Sequence, residues 1–152
     1  MEKIKANAII EIVGTPKEHI EQTMQKVVNL IEGNEDHEII TKEIHEPKES
    51  EFPDPMDKEK KIKVWSTFTE LEANFKSFDA LTNFCFEFMP SSIEIIEPLE
   101  LKIDAQEINN TLNDILARLH QQSKIMMEYA TLKRKIQEAA AKHAEAKNQD
   151  PS

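Results

Sequence analysis

The stretch from Asp104 to Lys147 contains neither glycine nor proline, the two residues that most often interrupt a helix. Asp104 can begin this helix because its carboxylate accepts a hydrogen bond from a free backbone N–H, and Glu107 completes an acidic variant of the capping box. At about 1.5 Å per residue the helix would measure roughly 65 Å, about twice the diameter of a small domain. The sequence therefore predicts one long amphipathic helix over 104–147, followed by a disordered tail over 148–152.

The apolar residues of this helix form two stripes. The first follows alternating steps of three and four residues, as in a coiled coil: Ala105, Ile108, Leu112, Ile115 and Leu119. The second is about one residue out of phase with the first: Ile125, Tyr129, Leu132, Ile136 and Ala139. Such a change of phase indicates either that the helix contacts two different surfaces or that a supercoil ends there. We expect the first stripe to pack on a sheet, either of the same chain or of a second copy.

The second stripe is the predicted interaction surface, and it lies beside a cluster of basic residues. The residues of this surface are Ile125, Tyr129, Leu132 and Ile136, together with Lys133, Arg134 and Lys135. The basic cluster alone has a second explanation, because the helix dipole favours cations near a helix C-terminus. We predict that the chain forms a homodimer, or binds another protein, through this half of the helix.

The net charge of −10 is unevenly distributed along the chain. Residues 1–100 hold 11 basic against 22 acidic side chains, whereas residues 124–147 hold 6 basic against 3 acidic side chains. A strongly acidic region is a poor nucleic-acid binder, because phosphate contacts need clustered Lys and Arg. No signal segment and no apolar run of about 18 residues is seen, and Cys85 is the single cysteine. We therefore expect a cytoplasmic protein without membrane contact.

The first hundred residues alternate between strand and helix patterns. Apolar side chains recur with a period of two from Ile4 onward, which predicts a strand that ends at Gly14. Thr15 is expected to cap the helix that follows, with Pro16 in its first position. Three further strands are expected over 37–45, 62–75 and 92–97, and a second short helix, capped by Ser77 or Asp79, over 78–88.

The order β-α-β-β-α-β followed by a long helix predicts an α+β fold. Residues 1–103 would form a ferredoxin-like plait, in which four antiparallel strands carry both short helices on one face. The other face would expose mainly apolar residues: Ile9, Val13, Ile40, Ile44, Val64, Phe68 and Ile96. An apolar patch of that kind needs a cover, and we expect residues 104–119 to provide it.

Residues 46–61 interrupt the strand and helix patterns. They contain three prolines and six acidic residues, with Phe52 and Met56 as their large apolar side chains. A connection of this length between strands is usually either functional or mobile. We predict a loop, which is either a mobile hairpin tip or an acidic arm that presents Phe52 and Met56 to a partner.

No arrangement of residues in the sequence is typical of an active site. His37 and His45 lie on the same face of the predicted second strand, but their separation at strand rise is roughly 26 Å, too far for one metal ion. Cys85 lies among large aromatic residues, which favours a buried and inert thiol. The polar residues around Ser66 and Glu70 have no histidine nearby in sequence to act as a base. We therefore predict a non-enzymatic protein with neither a metal nor a cofactor.

Two resemblances accompany this interpretation. Over residues 1–98 the predicted architecture is similar to ferredoxin-like modules, including the amino-acid-binding ACT domains. This resemblance implies, as the alternative function, a small-ligand regulatory domain with its pocket near Gly14 and Ser77. The run Phe84-Cys85-Phe86-Glu87-Phe88-Met89-Pro90-Ser91-Ser92-Ile93-Glu94 resembles a family of small uncharacterised archaeal proteins. That family implies no activity, and no functional residue is transferred from it.

Overall fold

A computed structural model describes residues 3–149 of the chain. The chain divides into two compact units, Met1–Ile103, which we call the head, and Asp104–Ser152. The head contains β1 (Ile4–Gly14), α1 (Lys17–Glu32), β2 (His37–Ile44), β3 (Lys48–Pro53), β4 (Lys61–Phe75), α2 (Phe78–Phe88) and β5 (Ser92–Glu97). The second unit contains one helix, α3 (Ala105–Asn148). Residues 150–152 of the predicted tail lie outside the described residues.

The five strands form one antiparallel sheet, so the predicted α+β class is confirmed. The strand order is β2-β4-β1-β5, and β3 pairs with the first part of β4. Without β3, this is the order that a ferredoxin-like plait requires, with β1 and β4 in the centre. The head therefore contains the four predicted strands of the plait and one strand that the plait does not have.

One face of the sheet packs against both short helices and forms the core. The period of two in β1 is confirmed, because its inward residues are buried: Ile4, Ala6, Ala8 and Ile10. The helices contribute the other half of the same cluster: Met24, Val28 and Ile31 from α1, and Ala80, Leu81 and Phe84 from α2. Phe75 of β4 is fully buried at the centre of this cluster, which places α1 and α2 on the same side of the sheet.

Two of the three predicted helix caps are confirmed. The Asp104 carboxylate accepts a hydrogen bond from the Glu107 N–H at 2.9 Å, and the Ser77 hydroxyl accepts one from the Ala80 N–H at 3.0 Å. Thr15 does not cap α1, which begins at Lys17 after Pro16 and has no side-chain cap. The predicted cap is one residue too early in the chain, because Pro16 occupies the cap position and is not the first helical residue.

The prediction of a loop over 46–61 is wrong for its middle. Residues 48–53 form β3, which pairs antiparallel with residues 61–66 of β4. A loop over residues 54–60 joins the two strands, and two aspartates stabilise it. The Asp54 carboxylate accepts a hydrogen bond from the Met56 N–H, and that of Asp57 accepts one from the Glu59 N–H. Met56 at the tip is 94% exposed. The acidic segment is therefore mainly a β-hairpin.

Two bulges change which residues share a face of the sheet. The register of β2 against β4 shifts at Ile40, and that of β5 against β1 shifts at Ile96. Ile44 consequently lies opposite Thr69, on the helix-covered side. His37 lies opposite Phe75 and is buried on that side. The predictions that Ile40, Ile44 and Ile96 share an open apolar face, and that His37 and His45 share a face, are therefore wrong.

The face of the sheet away from α1 and α2, which we call the outer face, carries apolar residues at one end, among them Val13, Val64 and Phe68, and polar residues at the other. In one row across the strands Asn7 pairs with both Glu72 and Glu94, and Thr41 also pairs with Glu72. In the next row Ile9 and Glu43 both pair with Glu70. Carboxylates thus occupy the rows around Glu70 and Glu72, whereas Val13, Val64 and Phe68 lie in the apolar part of the face. The expectation that residues 104–119 cover this apolar part stays a prediction.

Two buried threonines of β4 allow a test of the core. The Thr67 hydroxyl donates a hydrogen bond to the backbone carbonyl of His45, whereas the buried Thr69 hydroxyl has no hydrogen-bond partner within residues 3–149. We expect Thr69→Val to raise the free energy of unfolding by about 1 kcal/mol, because it removes an unpaired buried hydroxyl. Thr67→Val, the matched control, should lower it by about the same amount. Denaturant unfolding followed by Trp65 fluorescence measures both changes, and equal destabilisation by both variants would contradict the prediction.

Candidate functional site

The second stripe of α3 is exposed along its whole length. The fractional exposures of its four large residues are 57% for Ile125, 66% for Tyr129, 57% for Leu132 and 61% for Ile136. Ala139 is exposed as well, and every described residue from Leu116 onward is exposed. The residues follow steps of four, three and four, so their side chains lie on one side of the helix. This half of α3 therefore presents a continuous apolar stripe to solvent.

The basic cluster lies next to this stripe. Lys133 follows Leu132 directly, and Lys135 precedes Ile136, so the two lysines flank the stripe on opposite sides. Arg134 points elsewhere on the helix, and its Nε lies 3.8 Å from the Glu138 carboxylate one turn later. All three basic residues are exposed. The structure thus places six of the seven residues of the predicted interaction surface in the stripe or beside it, whereas Arg134 lies on the opposite side of the helix.

A second cluster, which the sequence pattern does not reveal, lies on the outer face of the sheet. The His45 Nε2 atom lies 3.0 Å from the Glu70 carboxylate and 3.9 Å from that of Glu43. Glu43 and Glu70 are direct cross-strand partners, and His45 follows β2 by one residue. The three ligand atoms, one from each side chain, all lie within 4.8 Å of one another. We call these three residues the His45 cluster.

His45 is held in place by its surroundings. Its ring stacks on Phe68 with the ring centroids 4.0 Å apart and the planes at 19°. Its backbone N–H donates to the carbonyl of Phe68, and its own carbonyl accepts the hydrogen bond of the Thr67 hydroxyl. The side chain of His45 is 30% exposed, compared with 70% for Glu43 and 52% for Glu70. The cluster therefore combines one fixed imidazole with two adjustable carboxylates.

Four other residues with polar or reactive side chains, or at a turn, have structural roles. Burial raises the pKa of the Cys85 thiol, which keeps it protonated and weakly nucleophilic, and its side chain packs against the core. His37 lies between Phe75 and Phe84, and its Nε2 hydrogen-bonds the carbonyl of Ile31. The Ser77 hydroxyl is used as a helix cap. A Cβ at Gly14 would lie 2.9 Å from the Cδ1 end of the Ile20 side chain, so this glycine lies in close contact with α1.

Comparison with known proteins gives a family but no activity. The model of the MJ0538 family matches residues 5–145 of this chain. The uncharacterized protein MJ0538 of Methanocaldococcus jannaschii is 29% identical over 109 residues, which are 72% of this chain and 38% of that protein. The match thus spans less than two fifths of the relative's length. No solved structure matches significantly, and no helix among the described residues is long and apolar enough to cross a membrane. The predicted resemblance to an uncharacterised archaeal family is confirmed, and the chain belongs to the MJ0538 family.

Proposed function

We propose that the chain is a non-enzymatic interaction module that forms a parallel dimer through the second stripe of α3. The observation that supports this proposal is the exposure of that stripe, because each of its four large apolar side chains is more than half exposed. Large contiguous apolar patches are uncommon on monomeric proteins and usually mark an interaction surface. The stripe is narrow and repeats with the spacing of a coiled coil, so a second helix is the partner that fits it.

The residue types in the stripe favour two chains. In the heptad frame of the stripe, Tyr129 and Ile136 occupy a positions, and Ile125 and Leu132 occupy d positions. A β-branched residue at a combined with leucine at d favours parallel two-stranded coiled coils. Ile136 and Leu132 provide this combination in the C-terminal half of the stripe, which makes a second copy of the chain the proposed partner.

The charges beside the stripe support the parallel orientation. Glu128 occupies a g position and Lys133 the e position that follows it, five residues later. In a parallel dimer in register, a g residue of one helix faces the following e residue of the other. Glu128 of each chain would therefore face Lys133 of the second chain, and this attractive pair would occur twice in the dimer.

The apolar area is sufficient for association of moderate strength. Burying Tyr129, Leu132 or Ile136 contributes about 1.5–3 kcal/mol for each side chain before the cost of ordering is subtracted. The stripe extends over only about two heptads, so the expected dimer is in equilibrium with its monomers. The acidic head remains available for other contacts in such a dimer, because the proposed seam lies on α3 alone.

A charge exchange tests both the dimer and its orientation. We expect Glu128→Lys alone and Lys133→Glu alone each to raise the dimer dissociation constant about tenfold, because each creates two like-charge contacts. The double variant should return to near the wild-type value, since it restores both pairs with reversed signs. Residues five apart on one helix do not face each other, so the recovery would have to arise between chains. Sedimentation equilibrium measures the three constants.

Glu145→Lys is the matched control, because it makes the same change of charge at an exposed position away from the stripe. It should leave the dissociation constant within about twofold of the wild-type value. A double variant that associates no better than the single variants would contradict the parallel register. A wild-type chain that is monomeric at high micromolar concentration would overturn the proposed dimer and direct the search to a foreign helical partner.

A further inference from the structure

We propose that the His45 cluster binds one divalent transition-metal cation of the zinc type on the outer face of the head. The donor set is one imidazole nitrogen and two carboxylate oxygens, from His45, Glu43 and Glu70. Zinc sites that keep an open coordination position commonly use three protein ligands of these two kinds, and the fourth position is left to solvent. The proposal concerns a part of the molecule that is separate from the α3 stripe.

The distances within the cluster are close to those that a bound ion requires. Zinc binds nitrogen and carboxylate oxygen at about 2.0–2.2 Å, so tetrahedral ligands lie roughly 3.3 Å from one another. The observed separations from the His45 Nε2, 3.0 Å to Glu70 and 3.9 Å to Glu43, lie on either side of this value. Small rotations of two exposed carboxylates would therefore complete the site without movement of the backbone.

The fixed position of the imidazole favours binding. The stacking of the His45 ring on Phe68 and the two backbone hydrogen bonds of His45 hold the ring before an ion arrives. A preorganised ligand loses less conformational freedom on binding, which increases the affinity that a given set of contacts can supply. The cross-strand pairing of Glu43 with Glu70 holds the backbone of the other two ligands side by side, and their exposed side chains can adjust to the ion.

The charge of the cluster also favours a cation. Glu43 and Glu70 are directly opposite each other, and like charges in cross-strand pairs destabilise a sheet. Two lysines of the surrounding strands interact with other acidic residues: Lys5 lies 3.1 Å from the Glu72 carboxylate, and Lys42 forms an ion pair with Glu32. The His45 imidazole is therefore the partner shown for these two carboxylates, and a divalent ion would neutralise both of them.

The imidazole decides which class of ion fits. Magnesium and calcium prefer sites made of oxygen ligands, whereas an imidazole nitrogen favours zinc, nickel and copper. A cluster made of carboxylates alone would bind magnesium and calcium as well as zinc. We therefore expect the site to distinguish zinc from magnesium, and this difference separates a built site from general attraction to an acidic surface.

Titration calorimetry of the full chain, purified without an affinity tag, with zinc chloride tests the proposal. We expect one equivalent of zinc to bind, and an excess of magnesium not to displace it. His45→Gln and Glu70→Gln should each weaken zinc binding by about tenfold or more, because each removes a ligand. His143→Ala is the matched control, because His143 is an exposed histidine of α3, and its loss should leave the affinity unchanged.

The resonances of the His45 ring provide a second measurement, which does not depend on any variant being well folded. Stoichiometric zinc should shift the His45 ring signals and leave those of His37, which is buried and hydrogen-bonded, in place. Circular dichroism of each variant establishes that its head is folded. Binding of unchanged affinity in folded His45→Gln, an unshifted His45 ring, or displacement of zinc by magnesium would each overturn the proposal.

Discussion

Replacing Leu132 and Ile136 together by glutamate is expected to convert the chain from a dimer into a monomer. In the proposed dimer the two side chains occupy adjacent d and a positions, where each copy contributes both of them to the seam. Four carboxylates would then be placed in an apolar interface, and the burial of four apolar side chains would be lost. We expect the dissociation constant to rise at least about a hundredfold. Size-exclusion chromatography with light scattering measures the change.

The control is Ala130→Glu with Gln137→Glu, which adds the same number of carboxylates at exposed b positions of the same heptads. This variant should remain dimeric. The thermal unfolding of the head should be unchanged in both variants, because all four positions lie outside Met1–Ile103. Loss of association in the control as well would show that general charge, and not the apolar stripe, governs the dimer.

Phe75→Ala is expected to lower the free energy of unfolding of the head by about 3–5 kcal/mol. Phe75 is fully buried, and its ring lies 5.1 Å from that of Phe84 and 5.5 Å from that of His37. It is also the residue at which β4 pairs with Ile4 of β1 on one side and with His37 of β2 on the other. Truncation at this point leaves a cavity between both helices and the sheet, and the surrounding structure collapses into this cavity only partly.

Denaturant unfolding measured through the fluorescence of Trp65, the single tryptophan, reports this loss in the head. Phe52→Ala is the matched control, because Phe52 lies on β3 of the same sheet and is 46% exposed. It should cost about 1 kcal/mol, since only about half of this side chain is buried. Comparable losses in both variants would mean that the hairpin formed by β3 and β4 is as well packed as the core.

The elements that could be predicted are those whose signal is local in sequence. The alternation that starts at Ile4, the cap at Asp104 and the cap at Ser77 depend on residues within a few positions of one another. Strand β3 has no such local signal. Four of its six residues are Lys48, Glu49, Ser50 and Glu51, which show no apolar period. Its pairing with β4 and the two aspartates of the turn define it, and neither is a pattern of apolar residues.

The register of the sheet could not be predicted, because the bulges at Ile40 and Ile96 leave no clear mark in the sequence. One additional residue in a strand reverses the face of every side chain beyond it. For this reason His45 reaches the outer face and meets Glu70, a residue 25 positions later in the chain. The His45 cluster is thus a product of register, whereas the α3 stripe could be seen in the sequence because one helix contains all of it.

The pairing of β1 has a consequence for the order of events during synthesis. Ile4 pairs with Phe75 and Lys5 pairs with Glu97, so the central strand of the head finds its partners only after β5 has been made. Chains fold as domains while they emerge from the ribosome, the first domain first. Because α3 follows β5 directly in the chain, the apolar stripe is released from the ribosome only after every strand of the head. Nascent chains on one polysome can therefore complete their sheets before their association helices are available to one another.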